Sequence, residues 1–212
     1  MMFRKLVLGT AFLAFAVVVF GAFVRLADAG LGCPDWPGCY GHVAVPQSAE
    51  ARGIAQLKFP DQPLDNSKAW IEMMHRYLAG TLGLLILAIA VYAWRKRADL
   101  QQSPVLPLFL AGLVVLQALL GMWTVTLLLK PAVVSLHLLG GMATLALLCW
   151  LALLQYPAPQ PVNTGKIREL KFWGWFGLLL LTLQIALGGW VSVNYASLAC
   201  GGFPLCNGSW VP

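Results

Sequence analysis

Trp70-Ile-Glu-Met-Met-His-Arg-Tyr-Leu-Ala-Gly-Thr-Leu-Gly83 is the stretch on which the fold turns. It opens an apolar run that continues to Trp94, and it sets a carboxylate, an imidazole and a guanidinium into the first turns of the helix such a run forms. Glu72 and His75 are three apart, and Glu72 and Arg76 four apart, so the three share one helical face. The run reaches the ~20 residues that a membrane-spanning helix needs. Ionisable groups are expensive in hydrocarbon, so the cluster is a candidate functional site. The only other histidine inside an apolar segment is His137; His42 lies in a polar loop, where a solvated role is the default.

Composition agrees. Of 212 residues 59% are hydrophobic and 10% charged, with a mean hydropathy of +0.76. No ordinary soluble domain has this composition. The formal charge of +6 is therefore no sign of nucleic-acid binding, because Lys and Arg in such a chain mainly report orientation across the bilayer.

Working outward from residue 70, the apolar runs predict an all-α integral membrane protein. Spanning helices are expected at about 6–24, 70–94, 106–129, 132–155 and 172–193. The first four form an antiparallel four-helix unit over 1–156. A long polar loop, 25–69, joins its first two helices, and a short surface helix is expected from Ser48. Residues 157–171 read as a Pro-rich linker. The first run could be a cleaved signal peptide, since Ala27-Asp28-Ala29 resembles a cleavage site. Its length, and a second copy of its end deep in the chain, argue for a spanning helix. Arg4, Lys5, Arg95, Lys96, Arg97, Lys166, Arg168 and Lys171 all fall at one side, near helix ends. The positive-inside rule places that side, with the N-terminus, in the cytoplasm. Both cysteine pairs, Cys33/Cys39 and Cys200/Cys206, then face outward, where disulfides persist. Cys149, inside an apolar run, reads as a small buried hydrophobe.

An offset of 167 residues superposes Gly21, Val24, Ala29, Leu31, Cys33, Pro37, Cys39 and Gly41 on Gly188, Val191, Ala196, Leu198, Cys200, Pro204, Cys206 and Gly208. Phe23 meets Trp190 and Trp36 meets Phe203. Two cysteines, a proline and a glycine in one loop register point to a duplicated four-helix unit. Residues 172–212 are then the first helix and cysteine loop of a second, truncated repeat. The chain is expected to be a fragment or shortened form of an eight-helix protein. A weaker repeat aligns Leu116-Gln117, Leu120-Gly121 and Trp123 with Leu183-Gln184, Leu187-Gly188 and Trp190. Both glutamines are expected to hydrogen-bond across helices.

His75 and His137 sit five and six residues below the outer ends of two helices that run the same way, at depths of roughly 7–9 Å. Two imidazoles at one level can hold one ligand between them. Ala79, Gly80 and Gly83 beyond His75, and Gly140 and Gly141 beyond His137, leave room for a flat macrocycle, although small residues also favour close helix packing. Two histidines without further thiolates or carboxylates suit axially ligated haem better than zinc. Glu72 either pairs with Arg76 across one turn or takes part in chemistry. Arg25 and Arg76 are placed to hold porphyrin propionates. Each cysteine pair reads first as a structural clip and second as a redox-active pair.

Gly-Cys-Pro-Asp-Trp-Pro-Gly-Cys at 32–39, Glu-Met-Met-His-Arg-Tyr-Leu-Ala-Gly at 72–80 and Ser-Leu-His-Leu-Leu-Gly-Gly at 135–141, followed by a second cysteine loop, resemble the haem A synthase family of bacteria and mitochondria. The resemblance covers essentially the whole chain. It implies eight helices in two similar halves, each with a histidine pair. It implies an oxidoreductase of haem biosynthesis that converts the C8 methyl of haem O to a formyl group by successive hydroxylations with water-derived oxygen. The product, haem A, serves terminal oxidases. In that family's terms His75 and His137 are axial haem ligands of the substrate half, Glu72 is the catalytic carboxylate, and Cys33–Cys39 is the disulfide beside the site. Haem b is the expected cofactor of the other half, whose histidines this sequence lacks. Haem O synthase is the expected partner, and a homo-oligomer is left open. Two other classes use the same residues: a membrane b-type cytochrome carrying electrons on a bis-histidine haem, and a thiol oxidoreductase using the outer cysteine pairs.

Overall fold

A computed structural model describes residues 2–100, 103–156, 164–196, 199–201, 206 and 209. Seven helices account for most of them: α1 (Met2–Leu26), α2 (Ala49–Lys58), α3 (Asn66–Arg95), α4 (Arg97–Leu100), α5 (Val105–Thr126), α6 (Pro131–Leu153) and α7 (Thr164–Val193). Five of them, α1, α3, α5, α6 and α7, are long and apolar enough to cross a membrane.

Local chemistry sets the ends. Ser48 caps α2 by accepting from the Ala51 N–H at 3.1 Å. Asp65 caps α3 by accepting from the N–H groups of Ser67 and Lys68 at 2.9 and 3.1 Å, so α3 begins four residues before the expected Trp70. Its 30 residues span about 45 Å, and its first turns therefore stand clear of a ~30 Å hydrocarbon layer. α5 stops at Thr126 rather than 129 because the chain must reverse before Pro131. Leu128 and Leu129 adopt left-handed φ values of 51° and 56° to do so, and Pro131 starts α6. α7 begins at Thr164, so residues 164–171, read from sequence as linker, are its first turns. Ile167-Arg-Glu-Leu-Lys171 are good helix formers with no proline among them. Linker residues 157–163 lie outside the described residues, as do Leu198, Phe203, Pro204 and Gly208 of the repeat.

Four helices form a ring in the order α1, α3, α5, α6, each packed on its two neighbours. The diagonal pair α3 and α6, which carry His75 and His137, make no Cα approach within 8 Å. α7 packs on α6, and Leu138 fills the space beside Gly189. Phe3, Val7, Ala14, Ile86, Ile89, Leu110, Leu148 and Leu151 close the interior at the end opposite the cysteine loop. Packing thins toward the cysteine end: the buried residues of α6 (Thr144, Leu148, Leu151 and Ala152) all lie in its second half. Cys149 is exposed on α6 rather than buried. A helix that is apolar all round gives no periodic sign of its inner face.

The cysteine loop has a small core of its own, Cys33, Cys39, Tyr40, Val45, Ala55, Ala69 and Met73. Cys33–Cys39 and Cys200–Cys206 are both disulfides, with Cα–Cα distances of 4.8 and 4.5 Å. The two cysteine loops share a backbone feature. Cys39 and His42 exchange two main-chain hydrogen bonds, and Cys206 and Ser209, each 167 residues on, do the same. Equivalent positions also touch: Arg25 donates to the Ser192 carbonyl, and the Tyr195 hydroxyl donates to Asp28 at 2.9 Å.

Candidate functional site

Glu72 lies one turn inside the cysteine end of α3 and is 4% exposed. Its Oε2 accepts the Cys33 N–H at 2.8 Å, and its Oε1 is paired with Nη2 of Arg76. Nη1 of Arg76 donates to the carbonyls of Asp35 at 2.9 Å, Pro37 at 3.3 Å and Gly38. The guanidinium is thus a strut between the carboxylate and the disulfide loop. Asp35 completes the loop by accepting from the N–H groups of Tyr40 and Gly41, both at 2.6 Å. The expected pairing of Glu72 with Arg76 is present. The grip of the Cys33 N–H on Glu72 was missed, since a backbone donor 39 residues away leaves no sequence pattern.

One turn deeper, each histidine leans on a glycine of the neighbouring helix. A Cβ at Gly21 on α1 would meet Cε1 of His75 at 3.0 Å, and one at Gly121 on α5 would meet Cε1 of His137 at 3.4 Å. Phe20 stacks on His75 with ring centroids 6.2 Å apart and planes at 22°. The Nδ1 atoms of both rings are buried without a hydrogen-bond partner, as are Nε2 of Gln117 and Oγ of Ser135. Ser135 is two residues from His137 and so faces nearly the opposite way around α6. The other three belong to the ring interior, where packing thins. An unpartnered buried polar group costs about 1–3 kcal/mol, and three within about one helical turn of one another mark a place built for a ligand. Imidazoles on diagonal helices, with no backbone approach between them, suit a flat group held from both faces. No group of three or more His, Cys, Asp or Glu among the described residues suits a bare metal ion.

The small residues divide. Ala79 packs beside the apolar core, and Gly83 approaches Val114 on α5 at 3.8 Å. Gly80 is exposed, with nothing within 4 Å of its Cβ position. At Gly140 a Cβ would stand 1.8 Å from Nε2 of Gln117, and at Gly141 3.9 Å from its Oε1. The two glycines therefore accommodate the Gln117 carboxamide, whose nitrogen finds no partner across the helices. Arg25 places its guanidinium 4.2 Å from the centre of the Tyr195 ring, so both arginines considered for propionates already hold protein groups at the cysteine end. Phe20, Gly21 and Gly121 went unassigned in the sequence. The signal was there: Gly21 and Gly121 both align with Gly188 in the repeats.

Residues 4–212 match the family described as COX15-CtaA, cytochrome oxidase assembly protein. Heme A synthase of Shewanella oneidensis is 47% identical over 195 residues, covering 92% of this chain and 58% of the relative. Heme A synthase of Halalkalibacterium halodurans is 29% identical over 199 residues, covering 92% and 61%. Heme A synthase of Bacillus pumilus is 29% identical over 214 residues, covering 96% and 63%. The chain thus spans about three fifths of the length of these curated relatives. No solved structure matches it.

Proposed function

The chain belongs to the COX15-CtaA family of cytochrome oxidase assembly proteins, and on that premise we propose that it binds haem O between His75 and His137 and oxidises the substrate's C8 methyl toward the formyl group of haem A. The observation that carries this reading is the pair of half-buried imidazoles, each with a buried Nδ1 that has no partner, on helices that do not touch. The bound substrate would supply a redox-active iron and the methyl that is oxidised; conversion of methyl and one water oxygen to formyl releases four electrons and four protons, and the electrons would leave to an external electron acceptor. The residues of the chain supply the rest. His75 and His137 would hold the haem through its iron. Gly21 and Gly121 leave the rings room. Glu72, fixed by Arg76 and the Cys33 N–H, presents a negative charge from the cysteine end, where it stabilises positive charge developing at the porphyrin edge or takes a proton from attacking water. Each carboxylate oxygen has a second lone pair for that water. The guanidinium groups of Arg25 and Arg76 lie on the same side and can share donors with the propionates.

His42, His75 and His137 are the chain's three histidines, so its residues offer one bis-histidine site. A haem b cofactor would take its ligands from elsewhere. The chain resides in a bacterial inner membrane, with Arg4, Lys5, Arg95, Lys96 and Arg97 on the cytoplasmic side and the cysteine loops outside. Haem O synthase is the partner that delivers substrate.

Expression in a host that makes haem O tests this. A bis-histidine low-spin spectrum that is lost in both His75→Ala and His137→Ala is expected, with haem O or haem A in the extracted pigment. A colourless purified protein overturns the reading. One observation favours a second reading, a bis-histidine electron carrier: both Glu72 oxygens already hold protein donors, as a purely structural carboxylate would. Haem b as the sole pigment, with no haem A formed, selects the carrier.

A further inference from the structure

Resting on the haem O reading, we infer that Gln117 recognises the hydroxyl of the substrate's isoprenoid substituent and so distinguishes haem O from haem B. Gln117 is 9% exposed and lies one turn along α5 from Gly121, which backs His137. Its carboxamide is therefore about 5 Å from the histidine level, on the side away from the cysteine loop. Nε2 is buried and without an acceptor. It rests where a side chain at position 140 would be, 1.8 Å from that Cβ position. Packing alone does not explain a glutamine here. Leucine or methionine would fill similar volume without burying two amide hydrogens in an apolar bundle.

The substrate's shape supplies the acceptor. Haem O carries its two propionates on one edge of the ring and a hydroxyethylfarnesyl group on the far side. Haem B has a vinyl group at that position and no hydroxyl. The propionate edge belongs at the cysteine end, with Arg25, Arg76 and the polar loop. That orientation sets the methyl beside a propionate on the Glu72 side. It turns the hydroxyl, one carbon from the ring, toward the level of Gln117. Beyond Gln117 the packed core of Leu82, Ile86, Leu110 and Leu148 closes the interior, so Gln117 is the polar group at the floor of the space beneath the histidines. Glu72 and Gln117 thus stand on opposite sides of the histidine level, one toward the reacting methyl and the other toward the substituent that identifies the substrate.

Haem titration of the purified protein tests this, with haem O and haem B as separate ligands and the Soret band as the readout. The wild type should bind haem O more tightly. Gln117→Leu should keep the bis-histidine spectrum with both pigments and lose most of that preference, about 10-fold or more, as expected for one buried hydrogen bond. Gln117→Glu, which as a neutral acid can still donate, should retain part of it. If Gln117→Leu does not accumulate, the wild type decides with the methyl ether of haem O, which should bind no better than haem B. An unchanged preference in Gln117→Leu, or none in the wild type, overturns the inference while leaving the haem site standing. Absence of a bis-histidine spectrum with either pigment overturns the site itself, and the inference with it.

Discussion

The carboxylate of Glu72 and the backbone N–H of Cys33 are joined by a 2.8 Å hydrogen bond, so the acidic residue of α3 and the disulfide loop form one mechanical unit. Arg76 closes the unit from the other side, holding Glu72 and three loop carbonyls together. Glu72 is therefore both a structural tie and the negative charge nearest the cysteine side of the histidine pair.

Those two roles separate in Glu72→Gln. Glutamine keeps an acceptor for the Cys33 N–H but carries no charge. If the charge serves the reaction, the variant should bind haem O with an unchanged bis-histidine spectrum and make haem A on the order of 10²-fold more slowly. Extraction and chromatography of membrane pigments measures this. Haem A at the wild-type level would leave Glu72 as a tie alone.

The glycines behind the histidines should differ in sensitivity. A methyl at Gly21 comes to 3.0 Å from the His75 ring, and one at Gly121 to 3.4 Å from His137. The first forces the ring to shift, at a cost on the order of 1 kcal/mol. Gly21→Ala should therefore weaken haem affinity about 5- to 10-fold, whereas Gly121→Ala should change it by less than about 2-fold. Parallel haem titrations of the two variants check the order; equal effects would show that the notches do not set the ring positions.

The Cys33–Cys39 clip should be closed in the isolated protein and should hold the Glu72 unit together. Alkylation of unreduced, denatured protein followed by mass spectrometry should leave both thiols unlabelled. Replacing both cysteines by serine should cost about 2–4 kcal/mol of stability and lower the thermal midpoint. Because His75 is anchored separately by Gly21 and Phe20, the haem spectrum should survive at temperatures below that midpoint.

At the same end, Asp28 ties α7 to the first unit. The Tyr195 hydroxyl first, and Lys68 second, hold its carboxyl below the ordinary value of 3.8. A carboxylate whose pKa is lowered in the docked state stabilises docking above its free value, and that contribution is lost as pH falls through the docked value. Hydrogen exchange at the α7 end should be slow from pH 7 to 5 and rise below about 4 relative to the intrinsic rate. Asp28→Asn should show the fast exchange already at pH 7. A pH-independent protection factor would mean that the contact does not hold α7.

Part of this was decided by local sequence. Apolar runs of spanning length lead to an all-α membrane protein with five helices long enough to span, because hydrocarbon admits few other structures for such runs. Helix ends followed from caps and turns less legible than the apolar pattern, as at Asp65 and at Leu128-Leu129. The histidine pair and Glu72 stood out because charged and polar side chains are rare in such segments. Tertiary structure alone decided what those residues touch. α6 is apolar around nearly its whole circumference, so its sequence carries no mark of which face meets which neighbour, and Cys149, expected to be buried, stands exposed for that reason. The ring order that sets α3 and α6 on a diagonal, the glycine behind each imidazole, the carboxamide of Gln117 laid over Gly140 and the Cys33 N–H on Glu72 are contacts between residues on different segments of the chain. They are settled by how helices pack, which no local pattern encodes.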